Sequence, residues 1–207
     1  MSKIVDPINQ FARKIPTWVM YLLLTLPLAA LIFQLVSGGL GFDPAKEFEH
    51  ETGELTLKLI ILGLAITPLR KYLKLNLLKF RRAIGVMAFV YVTVHLFAWV
   101  ALDMNLRWGQ MWEDIWKRPY ITIGMVAFVL MIPLAVTSNN ASLRKMGAAA
   151  WRKMHKAVYL IAVLGAVHYI MVQKVWEVEP MVYLAVILGL LATRINWSPK
   201  ARTAPGI

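Results

Sequence analysis

His95, His155 and His168 are the residues of this chain whose type and setting could do chemistry, because each falls in or beside an uncharged apolar run. A titratable ring in hydrocarbon is costly, and the cheapest way to keep one is as a neutral imidazole bound to a metal. Two of the three share one stretch, WRKMHKAVYLIAVLGAVHYIMVQKVW (Trp151 to Trp176), which carries no charge between Lys156 and Lys174. At the helical rise per residue, the thirteen steps between them separate the rings by about 20 Å along the axis. That spacing suggests two sites at different depths.

The elements that must hold these rings are apolar helices. The chain has 207 residues, 59% hydrophobic, with a mean hydropathy of +0.59, which describes an integral membrane protein with little soluble mass. It has no cysteine, which excludes disulfides, iron–sulfur clusters and thiolate-bound haem. The net charge of +12 does not indicate nucleic acid, because the cations cluster beside the ends of apolar segments, where anionic lipid and the positive-inside rule place them. No separate basic domain exists to bind a nucleic acid.

Six spans are expected, at about residues 18–40, 55–69, 83–102, 120–137, 154–173 and 181–195, in a single transmembrane domain covering 1–207. The first is too long for a signal-peptide core and is expected to remain uncleaved. Its Gly-rich end, Ser37 to Gly41, reads as a helix stop. The acidic stretch from Asp43 to Glu54 reads as a loop, and its His50 is given no role. Arg70 to Arg82 holds six cations interleaved with leucines and reads as an interfacial helix, or as a docking surface for a soluble electron donor. Trp108, Trp112 and Trp116 fall on one helical face, as aromatic anchors at the membrane surface. The sixth span is short, and the tail from Arg194 is expected to fray.

Orientation follows from charge. Seventeen of the 23 Lys and Arg fall at the N-terminus, in the two even-numbered loops and in the tail, whereas ten of the eleven acids fall on the other side. Both termini are therefore expected in the cytoplasm. The fold is expected to be an all-α membrane bundle, since open sheets cannot satisfy their backbone in lipid.

With odd spans running outward, His95 and His168 both lie in the outer half, and His155 at the inner edge. One His from each of two facing helices at matched depth is how bundles hold a haem between them. Both axial positions would then be nitrogen, giving a centre that passes electrons and makes no bonds. At the inner level, Arg81 lies fourteen residues before His95, only about 40° from it around the helix, and so at the depth of His155. An inner haem could take His155 with Arg81 as axial partner, or with Arg81 pairing a propionate. Ordinary anchoring also accounts for Arg81 and Arg82. The thirteen-residue interval leaves His155 and His168 about 140° apart on an ideal helix, so a π-bulge or kink is needed if both face one partner. Gly85, Ala88, Ala98 and Gly165 could give a porphyrin room, although small residues also serve plain helix packing.

The segments RRAIGVMAFVYVTVHLFAW, KRPYITIGMVAFVLMIPLAVTSN and WRKMHKAVYLIAVLGAVHYIM resemble the MsrQ (YedZ) family, the membrane haem subunits of the bacterial periplasmic methionine-sulfoxide reductase system. That family belongs to the ferric-reductase-like transmembrane superfamily, in whose NADPH oxidases His pairs on the third and fifth spans sandwich two haems. His95, His155 and His168 match three of those four positions, and Arg81 stands at the fourth. The resemblance implies haem b (one or two) and brings FMN into consideration, although no phosphate cradle is recognisable. It implies a multi-pass protein of the bacterial inner membrane, taking electrons from the quinone pool or a cytosolic flavin reductase. A periplasmic molybdopterin-containing methionine-sulfoxide reductase subunit would receive them. The alternative is a ferric- or oxygen-reducing oxidoreductase of the same superfamily. Such enzymes need a flavin–NADPH domain, for which the fourteen-residue tail leaves no room, so an electron-transfer subunit without substrate chemistry of its own is favoured.

Overall fold

The computed structural model describes residues 2–173 and 175–195, and every regular element among them is helical. An amphipathic helix α1 (Ser2–Lys14) precedes α2 (Thr17–Ser37). Gly38 stops α2 in the left-handed conformation (φ 72°), and the Gly39 amide caps the Gln34 carbonyl at 2.8 Å, as the Gly-rich signal implied.

The next helix corrects the sequence reading. α3 runs from Pro44 to Tyr72, 29 residues, so the acidic stretch read as a loop forms its first turns. The start signals are local: Asp43 caps the helix by accepting from the Lys46 amide at 3.3 Å, Pro44 occupies the first turn, and Glu47 complements the helix dipole. The Lys46 backbone amide, then its ammonium, hold the Asp43 carboxyl below its ordinary value.

The interfacial helix expected over 70–82 does not form. Beyond Tyr72 the chain is irregular, Lys74 takes a positive φ of 60°, and a single 3₁₀ turn (Leu78–Phe80) leads into α4 (Arg81–Ala98). This segment is pinned by α1 instead. The Asn9 side chain donates to the Lys74 carbonyl (3.1 Å) and accepts from the Asn76 amide (2.9 Å), while Lys79 Nζ reaches the Arg13 and Ile15 carbonyls. Backbone groups that would have sat in a helix ladder are satisfied by that strap.

α4 ends in a π-helical turn (Trp99–Asp103). α5 (Trp108–Lys117) then exposes Trp108, Trp112 and Trp116 on one face and buries Met111 and Asp114 on the other. α6 (Pro119–Val136), α7 (Asn140–Met146), α8 (Ala148–His155), α9 (Val158–Val172) and α10 (Val178–Ala192) complete the described chain. A helix break does separate His155 from His168, although the two rings do not face one cavity. At Lys156–Ala157 the bonds tighten to three-residue spans, with the Ala157 amide on the Met154 carbonyl at 3.0 Å, and the helix breaks there.

Among the described residues, five helical segments are long and apolar enough to cross a membrane: Thr17–Ser37, Pro44–Tyr72, Leu78–Asp103, Pro119–Val136 and Ala148–Val172. α10, at fifteen residues, extends about 22 Å, short of a hydrocarbon core of roughly 30 Å. The protein is thus a multi-pass membrane helical bundle. α3 packs on α4 and α6 on α9, with α2 against α4 and α10 against α9 and α3. Leu64, Ile84, Met87, Ala88, Ile161, Ala162 and Ile187 fill the centre. Tyr91, 1% exposed, satisfies its hydroxyl by donating to the Leu24 carbonyl at 2.8 Å. The tail beyond Ile195, Trp197 included, lies outside the described residues.

Candidate cofactor site

α3, α4, α6 and α9 enclose a cavity of about 860 Å³ at the α5 end of the bundle, and His95 and His168 both line it. Their ring centroids are 6.2 Å apart and their planes 85° apart. Each ring is held the same way. His95 Nδ1 lies 2.8 Å from the Glu49 carbonyl, and His168 Nδ1 lies 2.7 Å from the Tyr120 carbonyl. A carbonyl only accepts, so each Nδ1 carries the proton and each Nε2 keeps its lone pair. That is the tautomer a metal-binding imidazole needs, with a carbonyl orienting it from behind. Two imidazoles on one first-row ion from opposite sides, at about 2 Å from each nitrogen, have centroids about 6 Å apart. A separation of 6.2 Å is of that size, so the pair could hold a single ion.

A glycine makes room for each ring. A Cβ added to Gly53 would stand 3.0 Å from His95 Nδ1 and Cε1, and one added to Gly124 would stand 2.9 Å from the same atoms of His168. Gly53 lies four residues after Glu49, and Gly124 four after Tyr120. In an α-helix that residue's amide bonds the carbonyl in question, so its side chain would flank the carbonyl's free lone pair. With glycine there, the imidazole of the neighbouring helix reaches it. The same device occurs twice, between α3 and α4 and between α6 and α9. The small residues named from sequence have other settings: a Cβ at Gly85 meets nothing within 4 Å, Ala88 and Ala98 are buried in helix packing, and Gly165 lines the cavity.

The cavity's rim is polar. Lys46, Arg107 and Arg118 line it beside Glu49 and Asp103. Arg118 is held by Asp114 Oδ1 (3.2 Å) and the Tyr120 hydroxyl (3.1 Å), and its pKa is raised chiefly by that hydroxyl. His50, given no role from sequence, also lines the cavity and meets the ring of Tyr169 edge-on at 5.4 Å. It was missed because its segment read as a loop. The Asp43–Pro44 helix start was the signal that would have placed it.

His155 is not brought into this cavity. It sits at the opposite end, where its Nε2 lies 3.1 Å from Thr137 Oγ1 and its ring stacks on Trp151 at 3.7 Å. The Thr137 hydroxyl donates to the Pro133 carbonyl, so His155 Nε2 is the donor to Thr137. Arg81 lies beside His155, Tyr159 and Arg194. Arg194 donates to the Tyr159 hydroxyl (2.9 Å) and the Leu64 carbonyl (2.6 Å). Among the described residues neither arginine is in an ion pair.

Residues 52–166 match the family described as "Ferric reductase like transmembrane component". Among curated proteins, the chain is 46% identical over 179 residues to a Caulobacter vibrioides protein described as "Protein-methionine-sulfoxide reductase heme-binding subunit MsrQ", covering 86% of this chain and 84% of that one. Proteins with the same description from Brucella anthropi (41%, covering 89% and 83%) and Agrobacterium fabrum (40%, covering 86% and 82%) are similarly related. The chain therefore belongs to the MsrQ family of ferric-reductase-like transmembrane components.

Proposed function

We propose that this chain is a transmembrane b-type cytochrome that carries electrons to a periplasmic methionine-sulfoxide reductase. The observation that carries this reading is the pair of imidazoles in one cavity, each with its Nδ1 proton on a backbone carbonyl and its Nε2 free, 6.2 Å apart. The relatives' description as heme-binding subunits supports it. His95 and His168 would hold a haem b through their Nε2 atoms, and the cavity of about 860 Å³ suits a group of that size. Haem b supplies a one-electron ferric–ferrous couple. Held by two protein nitrogens, the haem would leave no site for substrate, and the chain's part would be electron transfer. Glu49 and Tyr120 raise the basicity of the two Nε2 atoms through their carbonyls. Lys46, Arg107 and Arg118 offer the propionates charge-assisted hydrogen bonds at the rim.

The test is spectroscopic. Purified protein is expected to show a Soret band that shifts on reduction, and nearly perpendicular imidazole planes predict a strongly anisotropic low-spin ferric EPR signal. Colourless protein would refute the reading.

If a second, inner haem is bound, His155 and Arg81 are the residues that would hold it. A guanidinium stays protonated and has no lone pair to offer, so Arg81, with Arg194 beside it, suits a propionate better than an axial position. His155 would have to release Thr137 to bind through Nε2. A redox titration counts the haems: two midpoints, one of them lost in His155→Ala, would place a second haem at the inner level. A single midpoint with one haem per chain would remove the inner haem.

In the membrane, α10 is read as the sixth span, placing both termini on the cytoplasmic side of a bacterial inner membrane, where the quinone pool or a cytosolic flavin reductase would supply electrons and FMN would be a further cofactor of the chain. The chain has no native cysteine, so single cysteines report topology directly. In intact spheroplasts Glu113→Cys is expected to react with a membrane-impermeant maleimide and Lys145→Cys to be silent until lysis. The reverse pattern would invert the protein and the direction of electron flow.

A further inference from the structure

We propose that His50, Glu51 and Glu54 form a binding site for a divalent transition-metal ion beside the cavity, which His50 and Glu54 line. Each offers one ligand atom, and these atoms lie within 4.8 Å of one another. The spacing arises from α3 itself. His50 and Glu54 are four residues apart, so they share a face, with Glu51 beside them. One imidazole nitrogen and two carboxylates make a borderline donor set that suits zinc, copper(II) or manganese better than the oxygen-only cage calcium prefers.

Two further observations point to a cation. First, Tyr169 is 9% exposed, yet its hydroxyl has no hydrogen-bond partner among the described residues. Its ring lies 5.4 Å from His50 and 5.9 Å from Tyr183, and its hydroxyl sits in the field of Glu51, Glu54, Glu177 and Glu179. A buried polar group without a partner, set against this cluster, marks a place where a water or ion is expected. Second, the carboxylates are crowded. Glu54, its side chain 9% exposed, takes the Tyr183 hydroxyl and Lys58 Nζ at 2.6 Å each, and lies against Glu179. Lys58 is the present counter-charge, on a side chain 48% exposed. A dication would displace that ammonium and relieve the repulsion among the acids.

The site's existence does not depend on the haem assignment, since binding is read directly. Zinc sulfate is titrated calorimetrically into tag-free, detergent-purified protein with its native haem content. One equivalent per chain is expected to bind saturably. His50→Ala and Glu51→Gln should each weaken binding at least tenfold, and Lys58→Met should tighten it severalfold by removing the competing charge. With copper(II), wild-type protein should show EPR hyperfine structure from one nitrogen, lost in His50→Ala. Absence of saturable zinc binding would overturn the site. So would His50→Ala binding as tightly as wild type, or Lys58→Met leaving the affinity unchanged. An unchanged circular dichroism spectrum in each variant shows that the bundle has folded, so loss of zinc binding is then read at the site.

Discussion

His168→Ala is expected to lose most of the haem absorbance and all electron delivery to the periplasmic side, and His95→Ala to do the same. Both rings line one cavity with their Nε2 atoms free, so each removal would leave a bound haem iron with a single protein ligand from that pair. The cost is compounded by what stays behind. Without its imidazole, the Tyr120 or Glu49 carbonyl loses a hydrogen bond, worth about 0.5–1.5 kcal/mol net and more where the group stays buried. Folding should survive, because the apolar centre built on Leu64, Ile84, Ile161 and Ile187 does not depend on either ring. The measurement is the pyridine haemochrome ratio per folded chain, with circular dichroism as the fold control. If both variants kept a wild-type spectrum, the ligand assignment would be wrong. Exogenous imidazole restoring the low-spin spectrum of either variant would locate the vacated axial position.

A second large effect is expected from two residues that touch no cofactor. Gly124→Ala places a methyl 2.9 Å from His168 Nδ1 and Cε1, and Gly53→Ala places one 3.0 Å from those atoms of His95. Both distances are below ordinary van der Waals contact, and neither ring can simply swing away while its Nδ1–H stays on the carbonyl. The ring must tilt or the hydrogen bond must break, and changes to groups that orient a metal ligand typically cost 10–100-fold in metal affinity. Haem retention is therefore expected to fall by at least tenfold in either variant, and the EPR anisotropy to change as the imidazole planes rotate. Gly85→Ala is the control. Its Cβ meets nothing within 4 Å, so its effect should be neutral or slightly stabilising through alanine's better helix propensity. If all three glycine variants behaved alike, the positioning role of Gly53 and Gly124 would fail.

Much of this protein was legible one segment at a time. Hydropathy marks the apolar helices, because a chain in lipid must satisfy its backbone within each span. Ser37 to Gly41 announces the end of α2, because glycine adopts a left-handed φ without penalty. The i, i+4, i+8 spacing of Trp108, Trp112 and Trp116 sets them on one face. The depth of His95 and His168 follows from rise per residue alone. Local rules were also misapplied in places. Asp43–Pro44 carries a helix start, yet the density of acids after it suggested a loop and hid His50. The alternation of cations and leucines over 70–82 suggested a surface helix, where α1 holds an irregular segment instead.

What local pattern could not supply is the rotation of one helix against its neighbour. Lipid is as apolar as a leucine face, so hydropathy does not tell which side of a membrane helix looks inward. Glu49 and Tyr120 act through backbone carbonyls, which carry no side-chain signature. Gly53 and Gly124 matter only because His95 and His168 arrive opposite them on other helices. The sequence by itself determined the membrane helices, the imidazoles and their depth. Only tertiary packing decided that two of those imidazoles meet in one cavity while His155 turns to Thr137, because that outcome rests on contacts between residues 46, 48 and 18 positions apart.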